Sequence, residues 1–307
     1  MGSRLAPAAL LGTTTLLWGT TYRATAIGTS HSSALMFGAL RSAPAGLALV
    51  VVMILARPQR PSRRGAVLGA ASGLLMVAFW MFAISEGVAR AGAANAAVLV
   101  NSSTLFVAIL GRLFLGERLA VRQLAGVAVG FAGIVVMFSS ELTLSGGARL
   151  LTGMAIALLG GIAWGSGTVL VKWLSREERS LDALALAGLQ YAVGCPVLLA
   201  VAFAAKGTGG TDWSSGGFWG AVAYVGLGAV AGTLCYFLVL RLLHATEVSA
   251  ALLLVPIVAV LVEIARGNPP GGITFVGMAI AIAGVAGVTV PTRTRRDLAT
   301  EAVLPRS

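Results

Sequence analysis

Apolar runs of about 20 residues recur along almost the whole chain, and short polar or turn-forming stretches separate them. A helix needs about 20 apolar residues to cross the roughly 30 Å hydrocarbon core of a bilayer. The pattern therefore predicts an all-α polytopic membrane protein with ten transmembrane helices. The predicted spans are 5–27, 33–56, 65–87, 92–114, 121–139, 150–174, 182–205, 217–240, 246–265 and 271–290.

The composition agrees with a chain that is solvated by lipid. Hydrophobic residues make up 57% of the 307 residues and charged residues only 11%, whereas a soluble domain carries about 25% charged residues. The net charge of +11 does not indicate nucleic-acid binding, because the basic residues stand in short segments between apolar runs. The first apolar run, Leu5 to Ile27, is long for a signal peptide and is interpreted as the first span.

The positions of Lys and Arg predict the orientation in the membrane. A cytoplasmic N-terminus places most of them in cytoplasmic segments, including Arg57, Arg60, Arg63 and Arg64 between spans two and three. The other side then holds only Arg90, Arg149, Lys206 and Arg266. The positive-inside rule therefore predicts a multi-pass protein with N- and C-termini in the cytoplasm.

The two halves of the chain resemble each other in the same order and at a nearly constant offset of 146 to 152 residues. Because each half holds five spans, an odd number, the second copy is predicted to be inverted, as in many secondary transporters. The predicted units are two five-helix repeats, 1–145 and 146–291, and a disordered basic cytoplasmic tail, 292–307. The matched segments are Trp18 to Thr20 with Trp164 to Ser166, Ala34 to Arg41 with Ala183 to Gln190, and Asn95 to Thr104 with Glu247 to Pro256.

Several motifs resemble the EamA family of the drug/metabolite transporter superfamily. They are Leu17 to Thr20 in the first span, the small-residue run Ala93 to Ala97, the sequence Leu115-Gly116-Glu117 after span four, and Pro256 in the second copy. The resemblance covers essentially the whole chain. It implies ten helices in two inverted repeats, export of small metabolites or drugs, and a location in the cell (plasma) membrane. No cofactor is predicted.

Two positions depart from the family's pattern. Thr104 stands where the first repeat usually has proline, which puts a kink in span four in doubt. The sequence Gly267-Asn268-Pro269 stands where the second repeat would have Leu-Gly-Glu, which puts in doubt a structural carboxylate after span nine.

Polar and charged side chains inside the predicted spans are the candidates for the transport site, because such groups are costly in a bilayer and face cavities or partners. Arg41 lies too deep in span two for a simple end anchor, although it could snorkel or bond to another helix. The polar side chains could likewise line a cavity or bond across helices. The predicted substrate-binding residues are Trp18, Thr21, Arg41, Asn101, Thr104, Trp164, Thr168 and Gln190.

Two carboxylates near span ends are candidates for proton coupling. Glu86 in span three and Glu263 in span nine could carry a proton, or could pair with Arg90 and Arg266 nearby. Glu117 is interpreted as structural, with Arg118 and Arg122 as its predicted partners.

The sequence favours a secondary transporter that exports a small metabolite or drug-like solute by alternating access. A central cavity is expected from spans one to four and six to nine, with spans five and ten at the edge as a candidate homodimer interface. The predicted partners are the solute, the bilayer and, as a candidate, protons.

A channel, a receptor-like membrane protein and, least favoured, an intramembrane enzyme are the alternatives. Asp182, Asp212 and Asp297 fall in loops or ends, and His31 and His244 lie near opposite faces of the membrane in this topology. No HExxH or GxxxxGK[ST] motif occurs in the sequence, so neither a zinc site nor ATP binding is predicted.

Overall fold

In a computed structural model of the chain, the described residues are 2–289 except 92, 118, 141, 143–146, 179–180, 207–208, 268 and 270. The predicted tail, 292–307, lies outside these residues, as does Arg118. Every regular element in the described part is helical. In chain order the helices are α1 (Gly2–Ser30), α2 (Ala34–Ala56), α3 (Arg63–Ala91), α4 (Ala93–Asn101 and Ser103–Leu115), α5 (Val121–Met137), α6 (Gly147–Glu177), α7 (Ala183–Lys206), α8 (Gly216–Leu242), α9 (Ala245–Ala265) and α10 (Gly272–Thr289).

Seven of these described helices are long and apolar enough to cross a bilayer: α2, α3, α4, α6, α7, α8 and α9. The helices α5 and α10 are apolar but shorter. The helix α1 has 29 residues and falls outside the seven, because a set of hydroxyl side chains lowers its apolar content. These are Thr13, Thr14, Thr15, Thr20 and Thr21. The protein is therefore an all-helical, multi-pass membrane protein.

Serine side chains fix the starts of three helices. A hydroxyl just before a helix accepts a hydrogen bond from a backbone N–H that has no partner inside the helix. Ser33 accepts from the N–H of Met36 at 3.2 Å before α2, and Ser215 accepts from the N–H of Phe218 at 3.1 Å before α8. Ser62 does the same at the start of α3. Each cap ends a connecting loop at a defined residue.

The loops between successive helices lie on two faces of the bundle. On the N-terminal face, the amide of Ser62 before α3 donates to the Glu178 carboxylate after α6. On the opposite face, Nδ1 of His31 after α1 lies 3.6 Å from Oδ2 of Asp212 before α8. The pKa of the Asp212 carboxyl is lowered, chiefly because the hydroxyl of Ser214 donates a hydrogen bond to it. We use "N-terminal face" and "opposite face" for these two sides.

Contacts in one half have counterparts in the other half. A Cβ on Gly19 of α1 would lie 2.4 Å from Cβ of Val258 of α9, and a Cβ on Gly165 of α6 would lie 3.0 Å from Cβ of Phe106 of α4. Gly19 and Gly165 match in the sequence repeat, and Phe106 and Val258 keep the 152-residue spacing of the matched segments that begin at Asn95 and Glu247. In each half the first helix, α1 or α6, therefore packs closely on the fourth helix of the other half, α9 or α4.

The last helices of the two halves, α5 and α10, pack directly on each other through their backbones. A Cβ on Gly284 would lie 2.2 Å from the backbone N of Gly130, and a Cβ on Gly133 would lie 2.4 Å from the backbone N of Ala281. Small residues allow such close approach between helices in membranes. The contact joins the two halves at a position away from the central helices.

Substitution of Gly284 by leucine is expected to destabilise the protein, because the new side chain would meet backbone atoms of α5 that cannot rotate away. Overpacking costs about 1–3 kcal/mol, and this site should lie at the upper end. The melting temperature in detergent, followed by fluorescence-detected gel filtration, measures the effect. Gly220→Leu in α8 is the matched control, because a Cβ there meets nothing within 4 Å. Equal melting temperatures for the two variants would contradict the packing described here.

Candidate functional site

A cavity of about 390 Å³ lies between the two halves, within the range of about 300–1,000 Å³ that is typical of small-molecule sites. Side chains of α1 to α4 and of α6 to α9 line it. Seven of the eight predicted substrate-binding residues are among the lining residues: Trp18, Thr21, Arg41, Asn101, Thr104, Trp164 and Gln190. Whether they contact a substrate stays a prediction.

The cavity is placed asymmetrically between the two faces. It extends to the opposite face at Thr29, Ala34 and Val88, which we call the mouth. At its inner end Trp164 and Tyr236 belong to the lining, and buried apolar side chains such as Val171 and Leu240 follow toward the N-terminal face. The cavity is therefore shut off from the N-terminal face in this conformation.

Four aromatic side chains form the inner end of the cavity, which we call the floor: Trp18, Trp80, Trp164 and Tyr236. The Trp164 ring lies 5.6 Å from the Trp18 ring, 5.0 Å from the Trp80 ring and 5.8 Å from the Tyr236 ring, measured between centroids. These separations fall in the range of favourable aromatic pairs. Trp18 and Trp164, which match in the sequence repeat, thus meet at the centre of the molecule.

Thr168 lies behind the floor and is fully buried. Its hydroxyl is 2.8 Å from the hydroxyl of Tyr236, so it positions a lining side chain and is not itself part of the described lining. Helical spacing placed Thr168 on the same face of α6 as Trp164, but one turn separates it from the cavity.

Arg41 and Gln190, which are matched positions of α2 and α7, both line the cavity and both reach toward α3. Nη2 of Arg41 lies 2.7 Å from Sδ of Met81. Nε2 of Gln190 donates to Oγ of Ser72 at 2.6 Å. The two side chains therefore present one permanent charge and one neutral amide to the same space.

Two cavity helices are interrupted at corresponding positions of the two halves. The helix α4 breaks at Ser102, and α9 contains the 3-10 turn Leu252–Leu254 just before Pro256. The interruption of α4 forms without the family's usual proline, whose absence had put a kink there in doubt. Instead, the side chain of Asn101 donates to the carbonyl of Ala97 at 2.8 Å. Interrupted helices at corresponding positions are typical of transporter binding sites.

Glu117 closes the N-terminal face beneath the floor. Its side chain is fully buried, and its carboxylate accepts from the backbone N–H of Ala245 at 2.9 Å and from the hydroxyl of Thr246 at 3.0 Å. Nη2 of Arg176 lies 3.8 Å away. A carboxylate at a helix N-terminus is favoured by the partial positive charge there. We call this set of contacts the Glu117 lock; it ties the α4–α5 loop to the start of α9 and the end of α6.

The predicted structural role of Glu117 thus has a partner that the sequence did not indicate. Arg118, one predicted partner, lies outside the described residues. Arg176, from the other half, lies beside the carboxylate. The corresponding loop after α9 has Gly267-Asn268-Pro269 and no acidic residue, so that loop carries no side chain that could act as Glu117 does.

The two candidate coupling carboxylates lie outside the described cavity lining. Glu86 is 8% exposed, and its Oε2 lies 3.1 Å from Nη2 of Arg90, one turn further along α3. Glu263 is partly buried near the end of α9. Within the described residues no group of His, Cys, Asp or Glu side chains is arranged to hold a metal ion.

Some lining residues were not among the predicted site residues. Trp80 and Tyr236 were visible as aromatic residues within spans, but packing was an equally good explanation. Tyr236 had one further signal, since a buried tyrosine hydroxyl needs a partner. Met76 reaches the cavity from a π-helical segment of α3, Leu74–Phe79, and no feature of the sequence predicted that segment.

A cavity between two similar halves of a helical membrane protein is typical of secondary transporters. The model of the EamA-like transporter family matches residues 6–139 and 151–290. The chain therefore belongs to the EamA-like transporter family, which confirms the predicted membership of the drug/metabolite transporter superfamily.

Curated relatives agree with this assignment. An uncharacterized transporter of Bacillus subtilis strain 168 is 24% identical, over 80% of this chain and 83% of the relative. An uncharacterized inner membrane transporter of Escherichia coli strain K12 is 28% identical, over 82% of this chain and 80% of the relative. A probable amino-acid metabolite efflux pump of the same E. coli strain is 27% identical, over about half of each chain (51% and 50%).

The fold also has a counterpart among solved structures. One crystal structure superposes on this chain with a TM-score of 0.78, and the match covers 94% of this chain and 99% of the other chain. The two sequences are 21% identical, so this likeness shows the shared fold alone. Family and relatives are transporters rather than enzymes, and the protein is a membrane-embedded transporter of a small molecule.

Proposed function

We propose that the protein is a secondary carrier that exports a small metabolite or drug-like solute by alternating access. The solute binds in the cavity between two inverted five-helix repeats, residues 1–145 and 146–291. The observation that carries this proposal is the cavity's position: the interruptions of α4 and α9 flank it, and the Glu117 lock separates it from the N-terminal face. One relative's description as an efflux pump supports the outward direction.

The paired contacts of the two halves support the inverted arrangement. Gly19 and Gly165 make equivalent contacts to α9 and α4, so each half places its first helix against the broken helix of the other. In alternating access the two halves rock about a fixed site. One rocking movement would then separate α9 from the Glu117 carboxylate while the mouth closes.

The orientation follows from the charge pattern. The N-terminal face carries the Arg57–Arg64 cluster, so this face is proposed to be cytoplasmic, with both chain termini on the same side. The mouth then faces away from the cytoplasm. The contact between α5 and α10 lies at the edge of the bundle, and a homodimer through that edge stays a prediction.

Energy coupling is proposed to come from a proton gradient or from the gradient of the solute itself. Glu86 and Glu263 stay the candidate proton carriers. The ion pair of Glu86 with Arg90 supports a structural role as well. A Glu86→Gln variant whose export loses its dependence on external pH would assign the coupling to Glu86.

The test of the proposed function compares spent medium from three cell cultures by untargeted mass spectrometry. One makes the native protein, one makes an Ala97→Phe variant at equal membrane abundance, and one makes neither. Ala97 lines the cavity, so a phenyl ring there obstructs the site. One chemical class should accumulate in the medium of the native culture alone. Identical media from all three cultures, with solutes fed to the cells, would overturn export.

A further inference from the structure

The charge of the cavity is of one sign. Among the described lining residues Arg41 is the only charged side chain, and the set contains no Asp, Glu, Lys or His. The acidic residue of α3, Glu86, lies outside the lining and forms an ion pair with Arg90. Glu117 and Lys172 both lie on the far side of the floor, toward the N-terminal face. A bound solute therefore meets one permanent positive charge.

The backbone position of Arg41 is fixed by close helix packing. Its carbonyl oxygen would lie 2.8 Å from a Cβ on Gly226 of α8, so α2 and α8 touch through their backbones at this residue. The guanidinium group contacts the Met81 sulfur, and a thioether is a neutral and weak acceptor. The contact holds the side chain against α3 at the cavity wall.

The floor suits an apolar, planar part of a solute. Its four aromatic rings pack against one another, with centroid distances of 5.0 to 5.8 Å between contacting rings. These rings belong to Trp18, Trp80, Trp164 and Tyr236. Aromatic rings alone would also attract an organic cation. In this cavity a cation would approach the guanidinium of Arg41, and none of the described lining residues is a carboxylate that could offset the loss of the cation's hydration.

We infer that the cavity selects a monoanionic organic solute, with its carboxylate on Arg41 and an apolar or aromatic body against the floor, over the matching zwitterion and cation. Arginine is suited to this role because its planar donors match a carboxylate in two parallel hydrogen bonds. An α-ammonium group would add a second positive charge near Arg41 without a carboxylate partner in the lining. This inference rests on the proposed function, since it names the solute class of the same site.

Three probes that differ only in charged groups test the inference: 3-phenylpropanoate, phenylalanine and 2-phenylethylamine. Their binding to the purified protein in nanodiscs is measured by isothermal titration calorimetry at pH 7. The native protein should bind 3-phenylpropanoate at least tenfold more tightly than 2-phenylethylamine, and more tightly than phenylalanine. Equal or tighter binding of either amine, or no binding of any probe, would overturn the inference.

Variants of Arg41 locate the effect. Arg41→Gln should weaken 3-phenylpropanoate binding at least tenfold and leave 2-phenylethylamine unchanged or tighter, whereas Arg41→Lys should restore part of the anion's affinity. An unchanged melting temperature shows that each variant is folded, and unchanged anion affinity in folded Arg41→Gln would also overturn the inference. The calorimetric experiment measures binding and does not depend on transport. If the protein binds the anion but the medium comparison shows no export, the proposed function is wrong and the inference about the cavity stands. Export of an amine would fail the inference alone.

Discussion

Replacement of Glu117 by alanine is expected to accelerate exchange of the amide hydrogens of Ala245 and Thr246 by about 10- to 100-fold. These amides begin α9, where a helix has no internal acceptors, and the Glu117 carboxylate accepts from both. A hydrogen bond to a charged group contributes about 1.5–3 kcal/mol, and about 1.4 kcal/mol corresponds to a factor of ten. Hydrogen–deuterium exchange with mass spectrometry of the peptide that begins α9 measures the change.

A second acidic residue on the same face provides the control. Glu178 also accepts hydrogen bonds from another loop, but at a partly exposed position, and its described donors belong to Ser62. Glu178→Ala should therefore leave the α9 amides unchanged. Glu117→Gln should give an intermediate rate, because it keeps one acceptor oxygen and loses the charge. Unchanged exchange at Ala245 and Thr246 in Glu117→Ala would show that the carboxylate does not hold α9.

Replacement of Trp164 by alanine is expected to lower export at least tenfold and to destabilise the protein. Its ring contacts three other aromatic rings of the floor, and each such pair contributes about 0.5–1.5 kcal/mol. Removing the ring also takes one aromatic contact away from each of Trp18, Trp80 and Tyr236. The rate of solute appearance in the medium at equal membrane abundance, together with the melting temperature, separates loss of function from loss of folding.

Trp219 is the matched control for this variant. It is 46% exposed and packs only with Trp213 and Phe218 among the described aromatic pairs, away from the cavity. Trp219→Ala should keep the native export rate, and Trp164→Phe should keep part of it. If Trp164→Ala remains folded and exports at the native rate, the floor is not part of the transport site.

The Glu117 lock gives a physical reason for the asymmetry of the cavity. On the N-terminal face a buried carboxylate, a helix N-terminus and Arg176 join elements of both halves. On the opposite face the loop Gly267 to Gly272 carries no acidic residue to bind α4 in the same way. The contacts of Glu117 therefore favour the conformation that is closed at the N-terminal face.

The sequence predicted the helical segments and much of the cavity wall. Long apolar runs are a strong signal, because every backbone polar group in lipid must be satisfied within a helix. The residues Trp18, Thr21 and Thr25 recur at helical spacing, and all three line the cavity. The pairing of Arg41 with Gln190 in the repeat likewise located two lining residues that come from different halves.

Tertiary packing decided what the sequence left open. Thr168 has the spacing of a lining residue, yet Tyr236 of α8 lies between it and the cavity. Glu117 accepts a hydrogen bond from Ala245 at the start of α9, which is 128 residues further along the chain. This contact exists only in the folded protein. At the interruption of α4, the side chains of Asn101 and Ser102 donate to carbonyls of their own helix. Helix-breaking residues such as proline gave no indication of it.

Alternating access is the central claim, and labelling of one cavity residue from each side of the membrane tests it most directly. Ser103, a lining residue beside the break in α4, is replaced by cysteine in a Cys195→Ala, Cys235→Ala background. Right-side-out and inside-out vesicles are then treated with a membrane-impermeant maleimide. The account predicts that Glu117→Ala raises the labelling rate from the N-terminal face and lowers the rate from the opposite face. Rates that rise together, as in a channel, or labelling from one face in both variants would contradict it.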